Sequence, residues 1–368
     1  MREMDHPSLG SFWHLDQDFE AFKRYVDQKG QRAVDRAILR SLRGYSDRTD
    51  TPAMHLQAGQ TEAMTANHQD QSPLFSRIPA EIRLHIFELA LTSFDDPTKP
   101  YRADRKFYRP GYHCHQKIDC TLLRTCKLIY LETRLLPVSV NEHMFWLWKG
   151  GPLPITTQQN RPRARWKEWY ESLNDDQKQA VQTVHMFTQQ YYLEGFGFRF
   201  MADLFQFRTA RLHMTIRHQD WWSWESPAES SDKLGVCPWR EDRTSCQQML
   251  AEPERPSMEY IKERMTNSTW GGQVCKVQGL KALKIEFEID EVKKLQLKAV
   301  VERAKGWKFP LVGKGVFLEW TGTLKESAWE GLRDLKDDSV ALREKPVRED
   351  LPKRRYYVVT MTWKATSF

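Results

Sequence analysis

The sequence predicts an α+β protein: a short helical module followed by an α/β domain with a mixed or mostly antiparallel sheet flanked by helices. Three observations predict it. A helix signal begins sharply at Ile78-Pro79-Ala80-Glu81. Strict alternation then marks Leu212, Met214 and Ile216, and again Leu283, Ile285, Phe287 and Ile289, the two-residue period of strands. Helical spacing stands before and after these runs, at 164–173 and from Asp290 to Lys305.

A chain of 368 residues has room for two domains. Its hydrophobic content of 40%, with 12% aromatics, supports a core and argues against wholesale disorder. The 14 Trp exceed what packing alone requires, so some are expected to line a groove or hold long loops. With 56 Lys and Arg against 49 Asp and Glu, the net charge is +7. The two signs are interspersed, which reads as solubility rather than a nucleic-acid surface. No apolar run is long enough to cross a membrane, and Met1 to Gly10 lacks the apolar stretch of a secretory signal. The six Cys include no CxxC pair. They are read as reduced thiols, and the expected location is cytoplasmic or nuclear, where the sequon Asn267-Ser268-Thr269 stays unused.

Residues 1–72 read as an N-terminal lead and flexible linker. Two amphipathic runs stand in it: Phe12, Leu15, Phe19, Phe22 and Val26, then Val34, Ala37, Ile38 and Leu42. Ser46 to Ser72 is polar. The helical module spans 73–150. Pro79 suits a first helical position and Glu81 a first turn. The helix should reach Leu91. It carries two apolar stripes, Ile82, Ile86, Leu89 and Ala90 against Leu84, Phe87 and Leu91. A helix apolar on two sides needs two covers: its own module, and either the following domain or a partner.

Thr92 to Lys117 is polar, aromatic and rich in turn signals. A second helix is expected from Asp119 as N-cap, through Leu122, Cys126, Ile129 and Thr133 to Leu136, with Pro137 ending it. Val138 to Trp148 reads as extended. The α/β domain spans 160–368. Its expected elements are a helix at 164–173, a second capped by Asp175 or Asp176, and strands at 183–187, 212–216 and 283–289. A helix to Lys305 and strands at 316–320 and 357–363 complete it. The strands are expected to turn Arg211, His213, Thr215 and Arg217, and Lys284, Glu286, Glu288 and Asp290, to solvent. Lys325 to Leu351 reads as mixed helix and loop, and Trp221 to Met258 as a long functional or mobile loop.

Leu74-Phe75-Ser76-Arg77-Ile78-Pro79-Ala80-Glu81-Ile82-Arg83-Leu84-His85-Ile86-Phe87-Glu88-Leu89 resembles the opening of an F-box. Leu122-Leu123-Arg124-Thr125-Cys126-Lys127-Leu128-Ile129-Tyr130, with Glu132, Leu135 and Leu136, resembles its second signature. Together they look like a fungal F-box-like domain family of largely unassigned function, over roughly a fifth of the chain. The resemblance implies docking on a Skp1-type adaptor of a ubiquitin ligase, with the C-terminal domain selecting a substrate protein. The docking residues would be Ile78, Pro79, Ile82, Ile86, Phe87, Leu123 and Cys126, and the second apolar stripe adds Leu84 and Leu91. The chain departs from the family in a long insert between the two helices, and in Ile129-Tyr130 where a Trp is common.

Signatures of catalysis are missing: no GxSxG, HExxH, P-loop or GxGxxG. A non-enzymatic protein without cofactor or metal is therefore expected. His113, Cys114, His115, Cys120 and Cys126 come nearest to a metal set but are read as loop His and inert thiols. Glu286 and Glu288 are read as surface. Trp221, Trp222 and Trp224, beside Arg217 and His218, form a candidate clamp for a peptide or apolar ligand, with loop anchoring as the other reading. Arg161, Arg163, Arg165 and Lys167 with Trp166 and Trp169 could stack on nucleic acid. The preferred reading is a helix with inward Trp. The function expected is an F-box-type adaptor; the alternatives are a nucleic-acid-associated protein and a scaffold with no ubiquitin link.

Overall fold

Prolines open the first two helices among the described residues. Helix α1 (Pro73–Ser76) starts on Pro73, and Pro79 is the N-cap of α2 (Ala80–Leu91), where a missing N–H costs nothing. The computed structural model describes residues 66–105, 107–147, 162–194, 207–266, 268–313, 315–333 and 352–367. The two N-terminal amphipathic runs, most of the linker and residues 334–351 lie outside the described residues.

After α2 the insert forms a hairpin, β1 (Phe94–Pro100) against β2 (Cys114–Lys117). The single helix expected from Asp119 is broken. Asp119 Oδ1 does accept from Thr121 N, but the chain winds as a 3-10 turn over Thr121–Arg124. The Thr125 hydroxyl then donates to Leu122 O, and Cys126 is extended, a local alternative that stops the turn. Helix α3 (Lys127–Thr133) follows, and Pro137 sits in the first turn of α4 (Leu136–Ser139) instead of ending a helix.

A seven-stranded sheet has the order β3-β4-β5-β6-β9-β8-β7. Strands β3 (Glu142–Trp146), β4 (Thr183–Phe187), β5 (Arg211–Ile216) and β6 (Ala282–Asp290) are parallel. Strands β9 (Lys353–Ser367), β8 (Val316–Leu332) and β7 (Lys308–Leu311) continue antiparallel, so the sheet is mixed. Strand β3 comes from the segment assigned to the helical module and forms one edge of this sheet. Parallel neighbours need crossovers. These contain α5 (Pro162–Ser172) and α6 (Asp175–Ala180), then α7 (Gln190–Glu194), and then 217–281 with α8 (Cys246–Ala251), α9 (Met258–Arg264) and α10 (Trp270–Val274). The cap of α6 is Asn174, in a reciprocal pair with Gln177, one residue before the expected aspartates.

Val184, Met186, Leu212, Met214, Leu283, Ile285, Phe287, Val359, Met361 and Trp363 share the apolar side of the sheet and form the main core with Leu297, Val300 and Val301 of α11 (Lys294–Ala304). Strand β8 continues to Leu332, where mixed helix and loop was expected. Its charged stretch pairs residue by residue with β9 up to Leu332 opposite Lys353, so backbone pairing holds it extended without apolar alternation. The segment 221–258 is packed rather than loose: Trp221, Leu234, Val236, Trp239 and Met249 are in the core. The buried Glu194 carboxylate fastens it, accepting from Cys237 N (3.0 Å), Thr244 N (3.0 Å) and Gln190 Nε2 (2.8 Å).

Candidate functional site

On α2, three- and four-residue spacing puts Ile82, Ile86 and Leu89 on one line, with Phe87 and Leu91 on the opposite side. Phe87 and Leu91 are buried against Ile129 and Leu136 in a small separate core, with Leu74, Phe75, Leu122, Leu123, Cys126 and Val140 around them. Both were expected to meet a partner, and this packing makes them internal. Ile82, Ile86 and Leu89 are 56%, 42% and 65% exposed, and Leu84 is 42% exposed. Ile78, Leu123 and Cys126 are half-buried and Pro79 is exposed. Arg83 holds the module together. Its Nε and Nη2 each donate to the Glu132 carboxylate at 2.9 Å, and the guanidinium lies 4.8 Å over Phe75. This fork joins the two halves of the F-box-like pattern and draws Arg83 further toward its charged form.

The second cluster lies on the other face of the sheet. Alternation places His185 of β4, His213 and Thr215 of β5, and Glu286 and Glu288 of β6 on one side. His213, Thr215, Glu286 and Glu288 were expected to be solvated. Instead the insert covers them. Arg109 Nη2 donates to Glu286 Oε1 (2.6 Å) and lies 3.0 Å from Glu288 Oε2. Tyr112 meets His185 and Phe187, and Phe107 meets Trp146. His213, Thr215, Arg217 and Glu288 are buried, and Arg217 pairs with Asp220 at 2.6 Å. The reason is composition: the insert carries an Arg and aromatics that complement carboxylates and imidazoles, so the polar face has a polar lid.

His185 and His213 are in register on adjacent strands, and their rings stack at 3.6 Å with 13° between planes. His185 Nδ1 is 3.7 Å from Glu142 Oε2 and His213 Nδ1 is 3.2 Å from Glu142 Oε1. Burial, then the neighbouring His213, lowers the His185 pKa to about 4. Partial desolvation pushes the Glu142 carboxyl up, but the two imidazoles against it outweigh that and hold it well below the usual range. Burial likewise pushes Glu286 up, and Arg109 outweighs it, leaving Glu286 ionised.

The other residues singled out in the sequence do not converge. Trp221 is in the core on Phe287 with its Nε1 donating to Glu288 O, Trp222 lies between Tyr191 and Arg243, and Trp224 abuts His218. Each packs on a different partner, as in the loop-anchoring reading rather than the candidate clamp. His113 stacks near Tyr108 and His115 near Tyr101, and among the described residues Glu142, His185 and His213 are the only such group that could hold a metal. Trp166 is buried and Trp169 packs on Phe145; Arg161 lies outside the described residues. A hollow lined by Val236, Trp239, Met249, Tyr260 and Trp307 shares no residue with either cluster.

Neither a family model, nor a curated protein, nor a solved structure matches this chain. Among the described residues no helix is long and apolar enough to cross a membrane.

Proposed function

We propose that this chain is a non-enzymatic interaction protein of the F-box type, coupling a substrate protein held by its α/β domain to a Skp1-type adaptor. The observation that carries the reading is the line Ile82, Ile86 and Leu89, exposed on the side of α2 opposite its buried residues. Apolar side chains in a row on a helix are what a helix-in-groove contact reads. Covering what remains exposed of each would contribute on the order of 1 kcal/mol.

The test is calorimetric titration of the purified full chain with a purified Skp1-type adaptor. Binding is expected, and Ile86→Asp abolishes it while circular dichroism stays unchanged. Phe87→Asp is unsuitable as a probe of contact because Phe87 is internal. No binding by the unmodified chain, or equal binding by Ile86→Asp and Leu89→Asp, overturns the reading.

A further inference from the structure

We propose that Glu142, His185 and His213 bind one divalent transition-metal ion, of the borderline class that Zn2+ represents. Two imidazoles and a carboxylate are a recurrent ligand set for such ions. Three arguments come from the fold.

The first is distance. A tetrahedral Zn2+ with bonds of about 2.0–2.1 Å holds its ligand atoms roughly 3.3 Å apart. Here the Glu142 oxygens lie 3.2 and 3.7 Å from the two Nδ1 atoms. One atom from each of the three residues falls within 4.8 Å of the others. The histidines are neighbours in a parallel register with rings stacked at 3.6 Å, so an ion held by both Nδ1 atoms turns the rings out of the stack toward Glu142. Glu142 is on the edge strand and 42% exposed, which leaves the ion a route from solvent.

The second argument is the proton count. Arg109 keeps Glu286 a carboxylate, which only accepts. The Thr215 hydroxyl therefore donates to Glu286 Oε1 (3.5 Å), and its lone pair accepts His185 Nε2–H (2.9 Å). That favours the Nε2–H tautomer of His185, whose Nδ1 lone pair accepts from the Tyr112 hydroxyl (2.9 Å) beside Glu142. An ion bound here takes that lone pair in place of the Tyr112 proton and sits against the Glu142 carboxylate.

The third is orientation. Metal-bound histidines usually give their other N–H to an oxygen that is itself held. His185 does so through Thr215, Glu286 and Arg109. Arg109 comes from the insert, as does Tyr112, whose hydroxyl is 2.9 Å from His185 Nδ1. The insert thus both closes and orients the site.

The test uses the full chain, stripped with a chelator, dialysed and titrated with Co2+ and then Zn2+. One equivalent of Co2+ is expected, with the visible bands of a low-symmetry nitrogen and oxygen site, displaced by Zn2+. Glu142→Gln and His213→Gln each weaken binding by at least tenfold. Thr215→Val, which removes no ligand, weakens it by about 10–100-fold. His113→Gln leaves it unchanged. Circular dichroism of each variant checks the fold, and Glu142→Gln alters a partly exposed side chain, so it tests the site even if a buried variant fails to fold. Absence of bound metal, or affinity unaffected by Glu142→Gln, overturns the proposal.

Discussion

Arg109 and Glu286 meet at 2.6 Å although 177 residues separate them, and Glu288 lies 3.0 Å from the same nitrogen. The pair joins the insert to the middle of the sheet. Burial opposes the charge on Arg109, and the two carboxylates outweigh it, so the guanidinium remains a cation.

Arg109→Met should therefore destabilise the protein by about 3–5 kcal/mol, because it leaves two carboxylates buried without their cation. Adding Glu286→Gln to that variant should return part of the loss. Urea unfolding of the two single variants and the double variant measures the coupling.

Asn141 fastens the end of α2 to the start of β3. Its Nδ2 donates to Leu91 O and Pro137 O, each at 2.9 Å, and its Oδ1 accepts from Ser93 N. Asn141→Leu strands three backbone groups, at about 1–3 kcal/mol for each left unsatisfied. Asn141→Asp is expected to be costly as well, since a carboxylate cannot donate to the two carbonyls. Melting temperatures of both variants decide it. An aspartate variant as stable as the parent would contradict the assignment.

Helix α2 should respond unequally on its two sides. Phe87→Ala opens the small core and should cost about 3–5 kcal/mol. Leu89→Ala, on the exposed side, should change stability by under about 0.5 kcal/mol. Chemical denaturation monitored by circular dichroism compares them.

Glu194 predicts a pH dependence of opposite sign to that of a salt-bridged carboxylate. Burial raises its pKa to about 7, against hydrogen bonds from Thr244, Cys237 and Gln190. Between the ordinary carboxylate value of about 4.3 and 7, the native state keeps a proton that the unfolded chain has lost. Stability from this group is then present below that window and falls as pH rises through it, by about 1.4 kcal/mol per unit. The difference in unfolding free energy between the parent and Glu194→Gln, measured from pH 4.5 to 7, isolates this slope from all other groups.

Much of the fold is legible in the sequence. Strands β4, β5 and β6 announce themselves because every second residue reaches the core, and α2 because Pro79 and its apolar spacing bound it. What covers the other side of the strands is not legible. A period of two reports that two faces differ, not that the second is open to water. His213, Thr215 and Glu286 thus read as solvated when Arg109 and Tyr112 roof this side of the strands. The one available signal was the unusual match between an insert carrying Arg and Tyr and strands carrying Glu and His. Likewise Phe87 and Ile86 look alike as sequence, and only the positions of Ile129 and Leu136 distinguish the hidden one from the open one.

Because Asn141 clamps α2 and the next residue begins the sheet, no hinge separates the helix from the strands at this point. Anything seated on Ile82, Ile86 and Leu89 is thereby given a set bearing relative to the sheet. A cargo on that sheet would be presented at one angle and one reach, like a tool on a rigid arm rather than bait on a line.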